Sequence, residues 1–331
     1  MILWNDIRRL KNITNQMYGH TQRLSNELAQ QRYALATLRQ AITTPEGQPA
    51  VNEQNLLNEA IHQLDQVLQT LPDKQKNTTD PQDIDQLKER DILAFVRKAL
   101  KENNIALAIQ PIKTMPYRHT RFYEVFSRVK LGNHYLPAGK FLSIAKDHGL
   151  MATIDQSFLL KTLELIQKKA NDDVSISYFC NLSAECFSNK NLMAAIIQFL
   201  SSQPRLSSRL IFELTQDDTF RLGPQAKQIC EKLAELGCRF SMDNVKMMVL
   251  DVVRLRELHV SFVKFNVNTV LKEVEDHAGK RRWGRLTNLM AGQGIEIVIE
   301  KIENGKQLDK LKDTGFDYAQ GYHLGEPEIV S

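Results

Sequence analysis

The sequence predicts an α/β protein, a TIM-like (β/α)₈ barrel preceded by an N-terminal α-helical coiled coil. Three observations predict this fold class. From residue 82 onward, extended apolar segments alternate with helical ones, an order typical of a parallel sheet covered by helices. None of these strands is followed by a glycine-rich phosphate loop of the mononucleotide-binding folds. The first 71 residues carry apolar side chains at coiled-coil spacing.

Residues 1–71 are predicted to form the coiled coil, with a break near residues 45–49. Alternating steps of four and three trace a seam in which seven of ten residues are apolar: Leu10, Thr14, Met17, Thr21, Leu24, Leu28, Gln31, Leu35, Leu38 and Ile42. After two prolines and a glycine, the seam resumes at Leu57, Ile61, Leu64, Leu68 and Leu71. A stripe of this length needs a partner. We expect a homodimer through residues 10–42, with an intramolecular hairpin as the alternative.

A polar segment bounded by prolines, residues 72–81, is predicted to link the coiled coil to a barrel at 82–331. Buried strands are expected at six apolar segments: Ile105–Ile112, Val174–Leu182, Arg209–Leu214, Arg239–Asp243, Phe262–Asn266 and Glu296–Ile299. Helices are expected between them, at 138–148, 154–169, 188–201, 223–236, 249–258 and 280–292. A doubly wound sheet fits the same alternation, but the missing phosphate loops favour the barrel.

The composition is that of a folded protein, because 42% of the 331 residues are apolar and 25% are charged. A net charge of +4 is too small to indicate binding to a nucleic acid polymer. No apolar run approaches the roughly 18 residues of a membrane-spanning helix, so we expect a cytoplasmic location, with membrane association in a longer native form. The four cysteines are expected to be reduced and to bind no metal: Cys180, Cys186, Cys230 and Cys238.

Polar residues close or interrupt successive apolar strands: Glu124, Asn181, Glu213, Asp243, Lys264 and Glu300. The carboxyl ends of parallel barrel strands meet at one rim, where such folds place their chemistry. Any one of these residues alone would more commonly be a helix cap or a surface residue. Six at successive strands predict a shared polar site, with oxygen ligands for a hard divalent cation at Glu124, Asn181, Glu213 and Asp243.

A series of short motifs along the second segment resembles the EAL domain family, whose members hydrolyse or bind cyclic di-GMP. The motifs follow in the family's order: Gln110-Pro111-Ile112, Glu124-Val125-Phe126-Ser127-Arg128, Asn181-Leu182-Ser183, Glu213-Leu214-Thr215, Val263-Lys264-Phe265 and Gln320-Gly321-Tyr322. The resemblance covers residues 85–328. It implies a TIM-type barrel and a site for cyclic di-GMP at the family's binding positions: Gln110, Glu124, Phe126, Arg128, Asn181, Asp243 and Gln320.

The departures from the family pattern concern charge around the metal site. Neutral residues stand where the family has acids: Gln216, Asn244 and Asn266. The glycine-rich loop after Asp243 is replaced by bulkier residues that include Lys246, and Lys301 stands in the family's Ala-Glu-Gly-Val-Glu motif. A two-metal hydrolase needs anionic bridging oxygens. The resemblance therefore implies an impaired catalytic site with no intact catalytic residues, in which Mg²⁺ or Mn²⁺ is weakly bound and not required.

Three functions remain open at this point. The leading hypothesis is a catalytically impaired receptor and signalling scaffold that binds cyclic di-GMP and acts on protein partners. The pairing of a coiled coil with a degenerate EAL domain also resembles bacterial receptors for flagellum placement and motility. The second is a weakly active metal-dependent phosphodiesterase in which Lys264 and Glu300 carry the chemistry. The third is a scaffold that binds no nucleotide.

Overall fold

The computed structural model describes residues 87–330 except 103, 132–133, 170–174 and 247–249. The predicted coiled coil at 1–71, its homodimer and the linker at 72–81 lie outside the described residues. The predicted barrel at 82–331 lies almost wholly within them.

Ten strands form one sheet, and eight of them close into a barrel. In chain order the strands are β1 (Ile105–Thr114), β2 (Thr120–Leu131), β3 (His134–Pro137), β4 (Ser177–Asn181), β5 (Leu210–Thr215), β6 (Arg239–Asp243), β7 (Val260–Asn266), β8 (Glu296–Glu300), β9 (Tyr318–Ala319) and β10 (Glu328–Val330). Their order in the sheet is β10-β1-β9-β8-β7-β6-β5-β4-β2-β3, and pairing of β1 with β2 closes the ring. The TIM-like barrel is confirmed, and the doubly wound alternative is wrong.

Helices occupy every crossover between neighbouring parallel strands. In chain order they are α1 (Glu89–Lys101), α2 (Ala138–Asp147), α3 (Met151–Lys168), α4 (Ala184–Ser188), α5 (Lys190–Ser201), α6 (Pro204–Ser207), α7 (Gln216–Arg221), α8 (Pro224–Glu235), α9 (Val252–Glu257), α10 (Val267–Glu273), α11 (His277–Gly292) and α12 (Gly305–Lys310). The helix predicted at 188–201 corresponds to α5. It begins at Lys190, because the Asn189 side chain accepts a hydrogen bond from Leu192 N and so caps the helix.

The barrel is not entirely parallel, which corrects one expectation. Strand β1 runs antiparallel to both of its barrel neighbours, β2 and β9, whereas the other neighbouring pairs in the ring are parallel. The reason is the short connection at 115–119, since a tight turn can join only antiparallel strands. The carboxyl end of β1 therefore lies at the opposite rim from the other carboxyl ends.

A layer of apolar side chains fills the middle of the barrel. Its buried members come from six strands: Ile112, Phe122, Phe179, Ile211, Phe262 and Val298. Phe122, Phe179 and Phe262 pack edge to face, with ring centroids 5.1–5.4 Å apart. This buried apolar layer forms a floor for the groups that lie beyond it.

The cysteines are buried and free, as expected. Burial raises the pKa of both Cys230 and Cys238 to about 12, so these thiols stay protonated and unreactive at neutral pH. In the part of the chain described, no helix is long and apolar enough to cross a membrane.

A buried aspartate ties the outer helices to the loop after β4. Asp155 on α3 accepts hydrogen bonds from the backbone N of Ser183, at 3.1 Å, and from the hydroxyl of the same residue. Ser183 in turn is the N-cap of α4. Burial raises the pKa of Asp155 to about 6, although the bonds from Ser183 oppose this rise.

This raised pKa predicts a pH-dependent contribution to stability. The pKa of Asp155 in the folded state lies above its ordinary value of 3.8, so the folded state keeps a proton that the unfolded state has released. This proton adds to the free energy of unfolding at low pH, and the added stability is lost as pH rises through 6. Relative to an Asp155→Asn variant, the wild-type free energy of unfolding should fall by about 1 kcal/mol from pH 5 to pH 8. Urea unfolding of both proteins at the two pH values measures this difference, and equal pH slopes would contradict it.

Candidate functional site

A polar layer lies directly beyond the apolar floor of the barrel. Side chains on a strand alternate between the two faces, so the residue two positions from each floor residue also points into the barrel. Six floor residues have a polar residue at that spacing on the same side: Gln110, Glu124, Asn181, Glu213, Lys264 and Glu300. Tyr318, which packs on the floor, is followed two positions later by Gln320. The alternation of the strands therefore brings these polar groups together.

Lys264 is the centre of this layer. Its side chain is completely buried, and its Nζ donates to Glu124 Oε2 at 2.6 Å and to Glu213 Oε1 at 2.8 Å. The other oxygen of Glu213 accepts from Ser241 Oγ at 2.9 Å. One ammonium thus joins carboxylates from β2 and β5 across the inside of the barrel.

Side-chain amides complete the hydrogen bonding of Glu124. Asn181 Nδ2 donates to Glu124 Oε1 at 2.9 Å, and Gln320 Nε2 donates to Glu124 Oε2 at 2.8 Å. Gln320 also donates to Gln110 Oε1 at 3.0 Å. Glu124 is therefore held by three donors from three other strands or strand ends.

The backbone after Gln320 approaches the loop after β8 very closely. Gly321 has φ +151°, and a β-carbon at this position would lie 2.2 Å from Ile302 O. Only glycine fits this approach. The contact fixes where the Gln320 amide meets the polar layer.

Burial and charge act in opposite directions on the three central groups. Burial favours the neutral form of Glu124, but the Lys264 ammonium and the bonds from Asn181 and Gln320 hold the pKa of Glu124 below its usual value. Burial raises the pKa of Glu213 well above its usual range, and only part of this rise is offset by Lys264. For Lys264 itself, burial would lower the pKa, but the carboxylates of Glu124 and Glu213 outweigh burial and raise it. Lys264 is therefore charged at neutral pH.

A second group of charges lies at the open side of the layer, around Asp243. Burial, followed by the nearby charge of Glu300, raises the pKa of Asp243 to about 7. Lys301 Nζ lies 2.9 Å from Glu300 Oε1. Although burial lowers the pKa of Lys301, the carboxylate of Glu300 raises it by more. The second lysine thus pairs with one of the two outer acids.

Phe126 and Arg128 lie farther along the face of β2 that carries Glu124. The Arg128 guanidinium carbon lies 5.4 Å from the centroid of the Phe126 ring, a cation–π distance. Arg128 Nη1 donates to Ser127 O at 3.0 Å. Burial lowers the pKa of Arg128, while Tyr322 and Glu124 act in the opposite direction. An aromatic face and a half-buried guanidinium therefore adjoin the polar layer.

The three neutral residues that depart from the family pattern each have a local role. Gln216 Oε1 accepts from the backbone N of Lys246 at 2.9 Å, and Asn266 is the N-cap of α10, accepting from Asn268 N at 2.9 Å. Asn244 has φ +53°, a left-handed conformation that asparagine tolerates better than most residues. Lys246 Nζ donates a hydrogen bond to Asp217 Oδ2 at the exposed surface, at 2.7 Å.

The polar atoms of the predicted metal ligands differ in their hydrogen bonding. Glu124 and Glu213 already accept hydrogen bonds at both of their oxygens, and Asn181 presents its amide nitrogen to Glu124. Asp243 Oδ1 is buried without a hydrogen-bond partner. Among the residues that the structure describes, no three His, Cys, Asp or Glu side chains are placed to share a metal ion.

Two expectations about how the site is built need correction. Asn181, Asp243 and Glu300 end their strands, but Glu124, Glu213 and Lys264 lie inside theirs. These three meet the others because they occupy the same layer, and not because they lie at strand ends. Lys264, expected to act only in the weakly active phosphodiesterase, holds the centre of the layer.

Two buried polar residues were not predicted from the sequence. Ser241, the partner of Glu213, gives one available signal, because it is a polar residue inside an apolar strand, two positions before Asp243. Asp155, which binds Ser183 outside the polar layer, gives none, because one acid in an amphipathic segment does not indicate burial.

The comparison with known families and proteins agrees with this geometry. The family model for the EAL domain matches residues 94–327. The curated relatives include the cyclic di-GMP phosphodiesterase PdeF of Escherichia coli K12, which is 25% identical over 234 residues, or 70% of this chain and 31% of PdeF. They also include the cyclic di-GMP phosphodiesterase PdeB of Shewanella oneidensis, 26% identical over 71% of this chain and 28% of PdeB. The chain spans about a third of the length of these relatives.

Solved structures share the fold. The FimX EAL domain from Pseudomonas aeruginosa bound to c-di-GMP has a TM-score of 0.60 and 24% identity, covering 72% of this chain and 96% of that one. The PaMucR phosphodiesterase in its c-di-GMP complex has a TM-score of 0.62 and 23% identity, and the match covers 72% of this chain and 97% of that one. At these identities the likeness shows the fold.

The network around Lys264 predicts a large stability effect for one substitution. Lys264→Met should lower the free energy of unfolding by about 3–5 kcal/mol, because it leaves the buried carboxylates of Glu124 and Glu213 without their cation. Lys246→Met is the matched control, since Lys246 pairs with Asp217 at the exposed surface, and its effect should be much smaller. Denaturant unfolding of the two variants and the wild type measures this. Equal losses in both variants would show that the buried pairing contributes little.

Proposed function

The chain belongs to the EAL domain family, and from that premise we propose that it is a catalytically impaired receptor and signalling scaffold for cyclic di-GMP. The observation that carries this proposal is the loss of acids next to the polar layer, since the acids expected at 216, 244 and 266 are neutral residues.

The loss of acidic oxygens argues against hydrolysis. A two-metal hydrolase brings two dications to within about 4 Å of each other, which requires anionic bridging ligands. At position 244 the chain offers an amide in a left-handed backbone conformation, and Gln216 is committed to the backbone of Lys246. The groups present favour binding of an anionic nucleotide over activation of a water.

The same groups suit a dianionic nucleotide with two guanine bases. Arg128 can offer charge-assisted hydrogen bonds to a phosphate, and its neighbour Phe126 offers an apolar face to a base. The amides of Gln110, Asn181 and Gln320, with the carboxylates of Glu124 and Asp243, supply donors and acceptors in the adjoining layer. These seven residues are the proposed ligand-binding set.

A receptor must transmit the binding of its ligand to other proteins, and the coiled coil predicted at 1–71 is a suitable element for this transmission. We extend the proposal to a homodimer that presents two barrels to protein partners, with flagellum placement or motility as the process controlled. This part of the proposal rests on the sequence seam and on the resemblance in domain layout.

Titration of purified protein with cyclic di-GMP, with and without Mg²⁺ or Mn²⁺, tests the proposal against its two alternatives. We expect saturable binding in the presence of a chelator and negligible formation of the linear dinucleotide under saturating metal. Product formation at about 1 per second or faster, an ordinary enzyme rate, would make the chain a phosphodiesterase. The absence of binding under all conditions would leave a scaffold that takes no nucleotide.

Arg128→Ala should weaken binding of cyclic di-GMP by about tenfold or more. A charge-assisted bond from arginine to phosphate contributes roughly 1.5–3 kcal/mol, and about 1.4 kcal/mol corresponds to a factor of ten. Arg281→Ala is the matched control, because Arg281 is exposed on α11 and its removal changes the net charge equally. Calorimetry that finds the same affinity in both variants and the wild type would remove Arg128 from the site.

The seam at residues 10–42 predicts the oligomeric state. Light scattering should give a dimer mass for the whole chain and a monomer mass after deletion of residues 1–80, because burying each seam leucine stabilises the pair by about 1.5–3 kcal/mol. A whole chain that stays monomeric at tens of micromolar would support the hairpin, in which the second seam covers the first.

A further inference from the structure

Lys301 adopts a backbone conformation that favours glycine. It follows the last residue of β8, and its φ is +61°, in the left-handed region where side chains with a β-carbon are disfavoured. A non-glycine residue there costs free energy that the fold must offset elsewhere. Such strain at the open side of a polar site indicates that the side chain has a use.

The Lys301 side chain reaches the acidic cluster from solvent. Its Nζ lies 2.9 Å from Glu300 Oε1, and its side chain is 57% exposed while that of Glu300 is 9% exposed. The carboxylates of Asp243 and Glu124 also act on its charge. The ammonium therefore lies at the mouth of the layer, where an entering ion or phosphate would first meet the acids.

The two lysines of the layer divide the four carboxylates between them. Lys264 contacts Glu124 and Glu213 from within, and Lys301 contacts Glu300, next to Asp243, from outside. Lys246, another lysine near this rim, pairs with Asp217 at the surface instead. Two ammonium groups of the chain itself thus lie against the four acids of this site.

We propose that the Lys301 ammonium is a tethered cation that replaces a divalent metal at this rim and lets the site take an anionic nucleotide without one. A metal ion near Glu300 and Asp243 would have to displace this ammonium or accept its repulsion at close range. A phosphate, in contrast, would be attracted by the Lys301 ammonium. The proposal rests on the proposed function for the identity of the nucleotide, but the competition between Lys301 and a metal does not depend on it.

The metal alone is the probe for that competition. Mn²⁺ binding is followed by loss of the free-ion electron paramagnetic resonance signal, in the wild type and in two variants of Lys301. Lys301→Met removes the charge and keeps the length of the side chain, while Lys301→Gly also relieves the backbone. Lys246→Met is the control for loss of one lysine near the rim. We expect both Lys301 variants to bind Mn²⁺ at least tenfold more tightly than the wild type, with the control unchanged.

A second experiment measures the binding of cyclic di-GMP by the same proteins in excess chelator. The wild type should bind equally well with and without Mn²⁺, and Lys301→Met should bind several-fold more weakly in chelator and recover when Mn²⁺ is added. Unchanged Mn²⁺ affinity in both Lys301 variants, or micromolar Mn²⁺ binding by the wild type, would overturn the proposal. If neither the wild type nor the variants bind the nucleotide, but the Lys301 variants bind Mn²⁺ more tightly than the wild type, the proposed function is wrong and the competition between Lys301 and the metal is supported.

Discussion

The buried ammonium of Lys264 is the interaction on which the site depends. Removing a lysine and two carboxylates from water is costly, and this cost is recovered only where every charged group is paired and hydrogen-bonded. The chain meets that condition with Asn181 and Gln320 on Glu124 and with Ser241 on Glu213. The aromatic floor beneath excludes water from one side, which strengthens each of these contacts. Strands β2, β4, β5, β6 and β7 and the segment after β9 are thus held together by polar bonds as well as by the apolar core.

The same arrangement underlies the proposed receptor function. Oxygens that accept hydrogen bonds from an ammonium and from amides are poor candidates for bridging two metal ions, because the ligands of such ions must be free and anionic. Binding of a nucleotide makes the opposite demand, since donors and cations attract its phosphates. The proposed receptor function follows this second demand, since two lysines and several amides lie among the acids of the layer.

The fold could be predicted from the sequence to a large extent, but the way in which the site is built could not. Alternating apolar strands and helices predicted the barrel, and the family motifs predicted most of the polar layer. The antiparallel first strand was missed because its direction follows from the short turn at 115–119, which apolar periodicity does not report. Glu124, Glu213 and Lys264 were expected to meet at a rim of strand ends, whereas their spacing of two from the floor residues is the signal that places them together. The role of Lys264 depends on contacts between β2, β5 and β7, which sequence spacing cannot show.

The neutral residues at 216, 244 and 266 stand at or just after the ends of their strands, and the local structure does not require them to be neutral. Gln216 accepts one hydrogen bond from a backbone N–H, Asn266 caps a helix, and Asn244 adopts a left-handed conformation. A glutamate could accept the same bond, and an aspartate caps helices and enters the left-handed region almost as readily as asparagine does. The local structure at each position would therefore accept the corresponding acid. What the three residues share is the absence of a negative charge, so their common effect is on the electrostatics of the site.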